Sequence, residues 1–227
     1  MTIHFVREID KIKTRILSLS AYVEESVTMA VKALITRDGN LAREVIQRDF
    51  KIDEAEVELE EECLKLLALY QPVAHDLRFI IAILKINNDL ERIGDQAVNI
   101  AYRAEVFSRR EKIEIPDIML TMAEKTKSML RLGLDALINL DVKRANDVCK
   151  SDDVIDNMHH DIYSLVKNEV TKHPEHFSTL FKFTEISHQL ERIADLATNI
   201  AEEVIYMVEG QIARHRGKAM ESKDKDF

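Results

Sequence analysis

Apolar residues return every three or four positions from the start of the chain. Ile9, Ile12, Ile16, Leu19, Val23, Val27, Ala30 and Leu34 share one helical stripe. Asp38-Gly39-Asn40 closes it, and a second stripe follows at Leu41, Val45, Ile52, Ala55, Leu59, Cys63, Leu66 and Tyr70. Pro72 marks the next boundary because it cannot donate an internal helix hydrogen bond. The third helix is expected from about Pro72 to Ser108, with Pro72 near its first turn and Asp76 available to the unpaired amides there. Glu114-Ile115-Pro116-Asp117 reads as a hinge. Helices over about 117–138, 141–171 and 175–213 then repeat the order, the last opening at Pro174, and a polar tail follows.

The two sets of three are related. Leu90-Glu91-Arg92-Ile93-Gly94-Asp95 recurs as Leu190-Glu191-Arg192-Ile193-Ala194-Asp195, and Asn99-Ile100-Ala101 recurs as Asn199-Ile200-Ala201, 100 residues later in both cases. So long a period indicates a duplicated domain rather than a short-repeat solenoid. The expected fold is all-α, six long helices forming two tandem, internally duplicated three-helix bundles at 1–112 and 113–213, followed by a tail at 214–227.

Composition sharpens this. Five Gly and three Pro in 227 residues leave little turn chemistry for an all-β fold. A formal net charge of −9 disfavours nucleic-acid binding, which rests on clustered Lys and Arg. Cys63 and Cys149 have no CxxC spacing and read as reduced core residues. The N-terminus lacks the apolar run of a signal peptide, and the longest strongly apolar run, Phe79–Leu84, is far too short to span a membrane. A cytoplasmic protein without membrane insertion is expected.

Against that background the acidic residues stand out. Glu91 and Asp95 lie four apart, one above the other on a helix face, as do Glu191 and Asp195. The preceding helix of each half supplies another pair, Asp49 with Asp53 and Asp152 with Asp156, set around Ile52 and Ile155. Glu56 and His159 follow one turn on. Like charges at this spacing repel, more so when partly buried, and burial is expected because Leu77, Ile80, Leu84, Phe177, Leu180 and Phe181 share the face. A cation held by carboxylates from two helices would offset the repulsion: oxygen clusters suit hard divalent ions, while iron, manganese and zinc accept carboxylate with imidazole. The competing reading is solvated faces balanced by Arg48, Arg92, Arg192 and Lys150. Four pairs in equivalent positions favour the metal. Glu185 and His188 also match the ExxH spacing of di-iron bundles, but Lys85 and Asn88 break it in the first half. No Gly-rich phosphate loop or nucleophilic triad is present.

ERIGD and ERIAD, each preceded by an aspartate pair on the previous helix, resemble the paired motifs of the PhoU family. Gln71-Pro72-Val73-Ala74-His75-Asp76-Leu77-Arg78 is similar to that family's entry into its third helix, and Glu209-Gly210-Gln211 with Arg214-His215 to its C-terminal end. The resemblance spans nearly the whole chain. It implies metal clusters at Asp49, Asp53, Glu91 and Asp95 and at Asp152, Asp156, Glu191 and Asp195, with Glu56, His159, Asn99 and Asn199 as further candidates. The ions would be iron, zinc, manganese or magnesium. It also implies a non-enzymatic negative regulator of the phosphate regulon that modulates high-affinity phosphate uptake. Its partners would be a membrane-bound sensor histidine kinase and the ATPase subunit of the phosphate transporter, and a homodimer is the expected assembly. The alternative from another class is a carboxylate-bridged metalloenzyme, a phosphoesterase or oxidase.

Overall fold

A computed structural model describes residues 3–109 and 114–210. The first stripe forms α1 (Ile3–Thr36), whose buried face runs through Ile12, Ile16, Leu19, Val23, Val27, Ala30 and Leu34. The second forms α2 (Gly39–Arg48) and α3 (Phe50–Tyr70), separated only at Asp49, which keeps helical angles (φ −56°, ψ −38°). There the Ile52 amide donates to the Asp49 carbonyl at 2.8 Å, a tightened turn within an otherwise continuous rod. The third helix, α4 (Ala74–Ser108), is followed by α5 (Asp117–Asn139), α6 (Val142–Lys172), a 3₁₀ turn at Pro174–His176 and α7 (Phe177–Glu209). Counting α2–α3 as one interrupted rod, the six long helices expected from the periodicity are present. The expected tail from 214 lies outside the described residues.

Both halves turn their first corner alike. Arg37 (φ 54°) and Leu140 (φ 48°) take left-handed angles, and the next residue's amide, Asp38 or Asp141, reaches back to the carbonyl of Ala33 or Ala136 at 3.0 Å. The same aspartates cap the following helix: Asp38 Oδ1 accepts from the Asn40 and Leu41 amides, and Asp141 Oδ1 from those of Lys143 and Arg144. The left-handed residue of the first corner is thus Arg37 rather than Gly39, which already belongs to α2. Pro72 stands outside α4 rather than in its first turn, since Val73 is the N-cap and Gln71 (φ 45°) closes α3.

The helices α1, α2–α3 and α4 pack together, as do α5, α6 and α7, and the two bundles meet where α4 lies along α7 and α1 touches α5. The α4–α7 pairing is antiparallel: Lys85 meets Glu203, Arg103 meets Glu185, and the Phe107 and Phe183 rings lie 5.3 Å apart. Ile86, Leu90, Ile93, Ala97 and Ile100 of α4 and Ile186, Leu190, Ile193, Ala197 and Ile200 of α7 are fully buried. The helices α4 and α7, which carry Glu91/Asp95 and Glu191/Asp195, are thus deeply enclosed, whereas α3 and α6, which carry the aspartate pairs, bury only a narrow stripe. No described helix is long and apolar enough to cross a membrane.

Candidate metal centre

In each half the helices that bear the two acidic pairs pack on one another, α3 on α4 and α6 on α7. Of the eight expected ligands, only Asp152, Asp156 and Asp195 bring carboxylate oxygens within 4.8 Å of one another, and Glu191 and the four of the first half do not join such a set. In the first half, Asp49 sits at the break before α3, Asp53 in its first turn, and Glu91 and Asp95 on α4. Burial, then the charges of Asp53 and Asp95, push the Asp49 carboxyl up to about 6. Glu91 is raised by burial and by Asp95, Glu56, Asp53 and Asp49, and Glu56 by burial, Glu60 and Asp53. Asp49, Asp53, Glu56, Glu91 and Asp95 therefore share one field, with Glu60 at its edge. Gly94 permits the approach: a Cβ there would stand 3.0 Å from Ile52 Cδ1 and 3.7 Å from Asp49 Oδ1.

The second half is tighter. One carboxylate oxygen each from Asp152, Asp156 and Asp195 lies within 4.8 Å of the others. Burial, then Asp195 and Asp156, push Asp152 up to about 6, against the opposing effect of the Thr198 hydroxyl. Asp195 is raised by burial, Glu191 and Asp156, with His188 and Arg192 opposing. Asp49 Oδ1 and Asp152 Oδ1 occupy equivalent positions, and both are buried without a hydrogen-bond partner. A buried carboxylate oxygen without a donor costs about 1–3 kcal/mol, more when charged. An oxygen-coordinated cation supplies what these atoms lack, so the residues present fit the ions expected from the sequence.

His159, the counterpart of Glu56, adds a nitrogen. Its Nδ1 lies 2.9 Å from Ser187 Oγ, and that hydroxyl donates its single hydrogen to the Thr184 carbonyl at 3.0 Å. The His159 Nδ1–H must then be the donor to Ser187, leaving Nε2 with its lone pair, the tautomer of a metal ligand held by a second partner. The His188 ring lies 5.9 Å from that of His159, centre to centre and tilted by 42°, and its Nδ1 is 3.2 Å from Glu191 Oε2. In the first half Asn87 replaces Ser187 and donates to the Glu56 carbonyl at 2.9 Å.

Other candidates fall elsewhere. Asn199 lines a groove of about 830 Å³ between α4 and α7, with Lys85, Asn88, Asp89, Arg92 and Glu202. The backbone carbonyl of Asn99 accepts from Arg103 Nη1 at 2.8 Å. Glu185, half of the ExxH match, is turned to Arg103 and so is engaged between bundles. Arg92 pairs with Asp89 on its own helix at 3.4 Å, not with a neighbouring helix. Of the apolar residues expected to bury the face, Ile80 and Leu180 do, whereas Leu77, Phe177 and Phe181 are 40%, 55% and 49% exposed. Periodicity alone missed Thr198 and Ser187, whose places beside Asp152 and His159 show only once α6 is packed on α7. A separate trio of exposed His173 and Glu175 with half-buried His176 also closes within 4.8 Å at the α6–α7 corner.

The sequence carries the signature of the PhoU domain twice, at 16–104 and 119–204. The phosphate-specific transport system accessory protein PhoU homolog of Pseudomonas putida is 37% identical over 218 residues, covering 94% of this chain and 84% of that protein. PhoU homolog 1 of Thermotoga maritima is 34% identical over 221 residues, covering 97% and 95%. The crystal structure of PhoU from Pseudomonas aeruginosa superposes with a TM-score of 0.89 at 34% identity, over 91% of this chain and all of that one. That of the phosphate transport system regulatory protein PhoU from Streptococcus pneumoniae gives 0.80 at 29% identity, over 92% and 99%.

Proposed function

Because this chain belongs to the PhoU family, we propose that it is an accessory protein of a phosphate-specific transport system that regulates by binding and catalyses no reaction. In this reading, divalent or transition-metal ions fix the carboxylate-bearing helices of each half, and the shaped cytoplasmic protein docks as a homodimer. Its partners are the sensor histidine kinase and the transporter's ATPase subunit, and the outcome is negative regulation of the phosphate regulon. The observation that carries the metal part is the pair of buried, unpartnered carboxylate oxygens, Asp49 Oδ1 and Asp152 Oδ1, at equivalent positions of the two halves.

Asp49, Asp53, Glu91 and Asp95 would hold ions in the first half, and Asp152, Asp156, Glu191 and Asp195 in the second, with Glu56 and His159 completing the two sets. A bound cation supplies positive charge where the carboxylates otherwise repel, and the protein's own part is to hold two helices at a fixed separation and register. The test is binding of the purified chain to the soluble domains of the two partners, with metal content measured on the same samples. Asp152→Asn/Asp195→Asn should lose about half of the bound metal and weaken docking about 10-fold, as loss of supporting ligands does at metal sites. Undiminished docking by the fully chelated protein would remove the metal from the mechanism. Metal-dependent phosphoester hydrolysis without docking would replace the adaptor by an enzyme.

A further inference from the structure

The two ion pairs across the α4–α7 contact are related by the duplication. Lys85 Nζ lies 3.0 Å from Glu203 Oε1, and Arg103 Nε lies 3.5 Å from Glu185 Oε2. Adding the 100-residue offset to Lys85 gives Glu185, and adding it to Arg103 gives Glu203. The two bridges are therefore one contact seen twice around a pseudo-two-fold, with its charges segregated: α4 holds both cations and α7 both anions. A symmetric α4–α4 contact between two copies would set Lys85 against Arg103 twice, and an α7–α7 contact would set Glu185 against Glu203 twice. Of the three pairings the shared geometry allows, only α4 with α7 joins opposite charges. Each bridge is half-buried: the Glu203 side chain is 4% exposed and that of Arg103 22%, while their partners Lys85 and Glu185 are 42% and 33% exposed.

We propose that Lys85, Arg103, Glu185 and Glu203 form a recognition code that makes each half pair with the other half and never with a copy of itself. Apolar burial attracts any such faces to one another without discrimination. The charges decide which faces remain together, because like charges brought together in a partly desolvated contact are rejected. A duplicated protein needs such a device, since its halves present nearly interchangeable faces.

Charge exchange in the full chain tests this. Lys85→Glu/Arg103→Glu and Glu185→Lys/Glu203→Lys each set like charges across the contact and should lower the thermal midpoint by about 2–4 °C or more in a chain of this size. The fourfold exchange restores opposite charges and should unfold above both double variants, although it carries twice the substitutions. If it unfolds below them, as independent damage requires, the proposal fails. The single-pair exchange Lys85→Glu/Glu203→Lys separates a code from plain attraction. It keeps both bridges within the chain, yet it gives each helix one charge of each sign, so that α4–α4 and α7–α7 contacts become permitted. Refolded at high concentration, it should form assemblies heavier than those of the parent by native mass spectrometry, and the fourfold exchange should not. A single-pair exchange that refolds to the parent's species overturns the proposal.

Discussion

The first and second carboxylate groups are built on the same frame and finished differently. One turn beyond the aspartate pair stands Glu56 in the first half and His159 in the second. Their supports change with them, Asn87 donating to the Glu56 carbonyl and Ser187 accepting from the imidazole. The helix bearing the pair is interrupted at Asp49 in the first half and runs unbroken from Val142 to Lys172 in the second. Gly94 lets Ile52 and Asp49 close on α4, whereas Ala194 fills the corresponding place. Duplication has preserved the elements that set helix separation and altered the polar groups that flank the aspartate pairs. The first group is all oxygen; the second offers an imidazole nitrogen as well, which suits borderline transition metals better.

The frame itself can be broken on one side. Gly94→Val should cost about 1–3 kcal/mol through crowding of Ile52 and should displace Asp49, lowering metal in the first half alone. Ala194→Gly should cost only about 1 kcal/mol, the ordinary penalty for glycine within a helix, with second-half metal unchanged. Denaturant unfolding and metal analysis on the same preparations check both. Exchange of the finishing residues sharpens the chemical contrast: His159→Glu should shift the second site towards magnesium over zinc by about 10-fold, and Glu56→His should shift the first the other way. Competition titrations read this directly.

Smaller effects follow from what the halves share. Asp38→Ala and Asp141→Ala each remove an aspartate accepting two backbone amides, and each should cost about 1 kcal/mol. A large inequality in chemical unfolding would mean that the two corners are not equivalent. The chelated protein should also become less stable as pH rises. Asp49 and Asp152, lifted from 3.8 to about 6, bind protons more tightly folded than unfolded. Their contribution is full below pH 3.8 and lost through about pH 6. Thermal midpoints across that range should fall, and Asp49→Asn and Asp152→Asn should each remove part of the slope. Bound metal should reverse the trend, because cations and protons compete for the same oxygens.

The stripe from Ile9 to Leu34 made α1 legible because a helix buried along one face must repeat its apolar positions, and the ERIGD/ERIAD echo made the duplication legible. Four-residue spacing placed Asp152 with Asp156 on one face and Glu191 with Asp195 on another, and only the packing of α6 on α7 brings Asp195 to the first two. The break at Asp49 was not legible, since no Gly or Pro marks it and the apolar stripe continues through it. Leu77, Phe177 and Phe181 misled because they lie in the opening turns of α4 and α7, where period alone cannot tell whether another helix reaches that far. The partners of Lys85 and Glu185 were hidden for a related reason: helical period says which face is buried, not which helix covers it.

The far end of α7 carries a consequence of its own. Gly210, at φ 72°, closes α7 with its backbone so near the Arg78 guanidinium that any side chain there would collide with it. Arg78 in turn lies over the Tyr206 ring, 6.0 Å from its centre. Residues 203–210 thus latch onto the opening turns of α4, whose sequence leaves the ribosome well over a hundred residues earlier. During synthesis the first bundle can assemble on its own, as domains generally do, but the flank of α4 around Arg78 and Lys85 waits, uncovered, for nearly the last turn of the second. In that interval Lys85 lacks Glu203, and both Arg78 and Lys85 lack the Tyr206 ring, the groups that cover them in the finished fold.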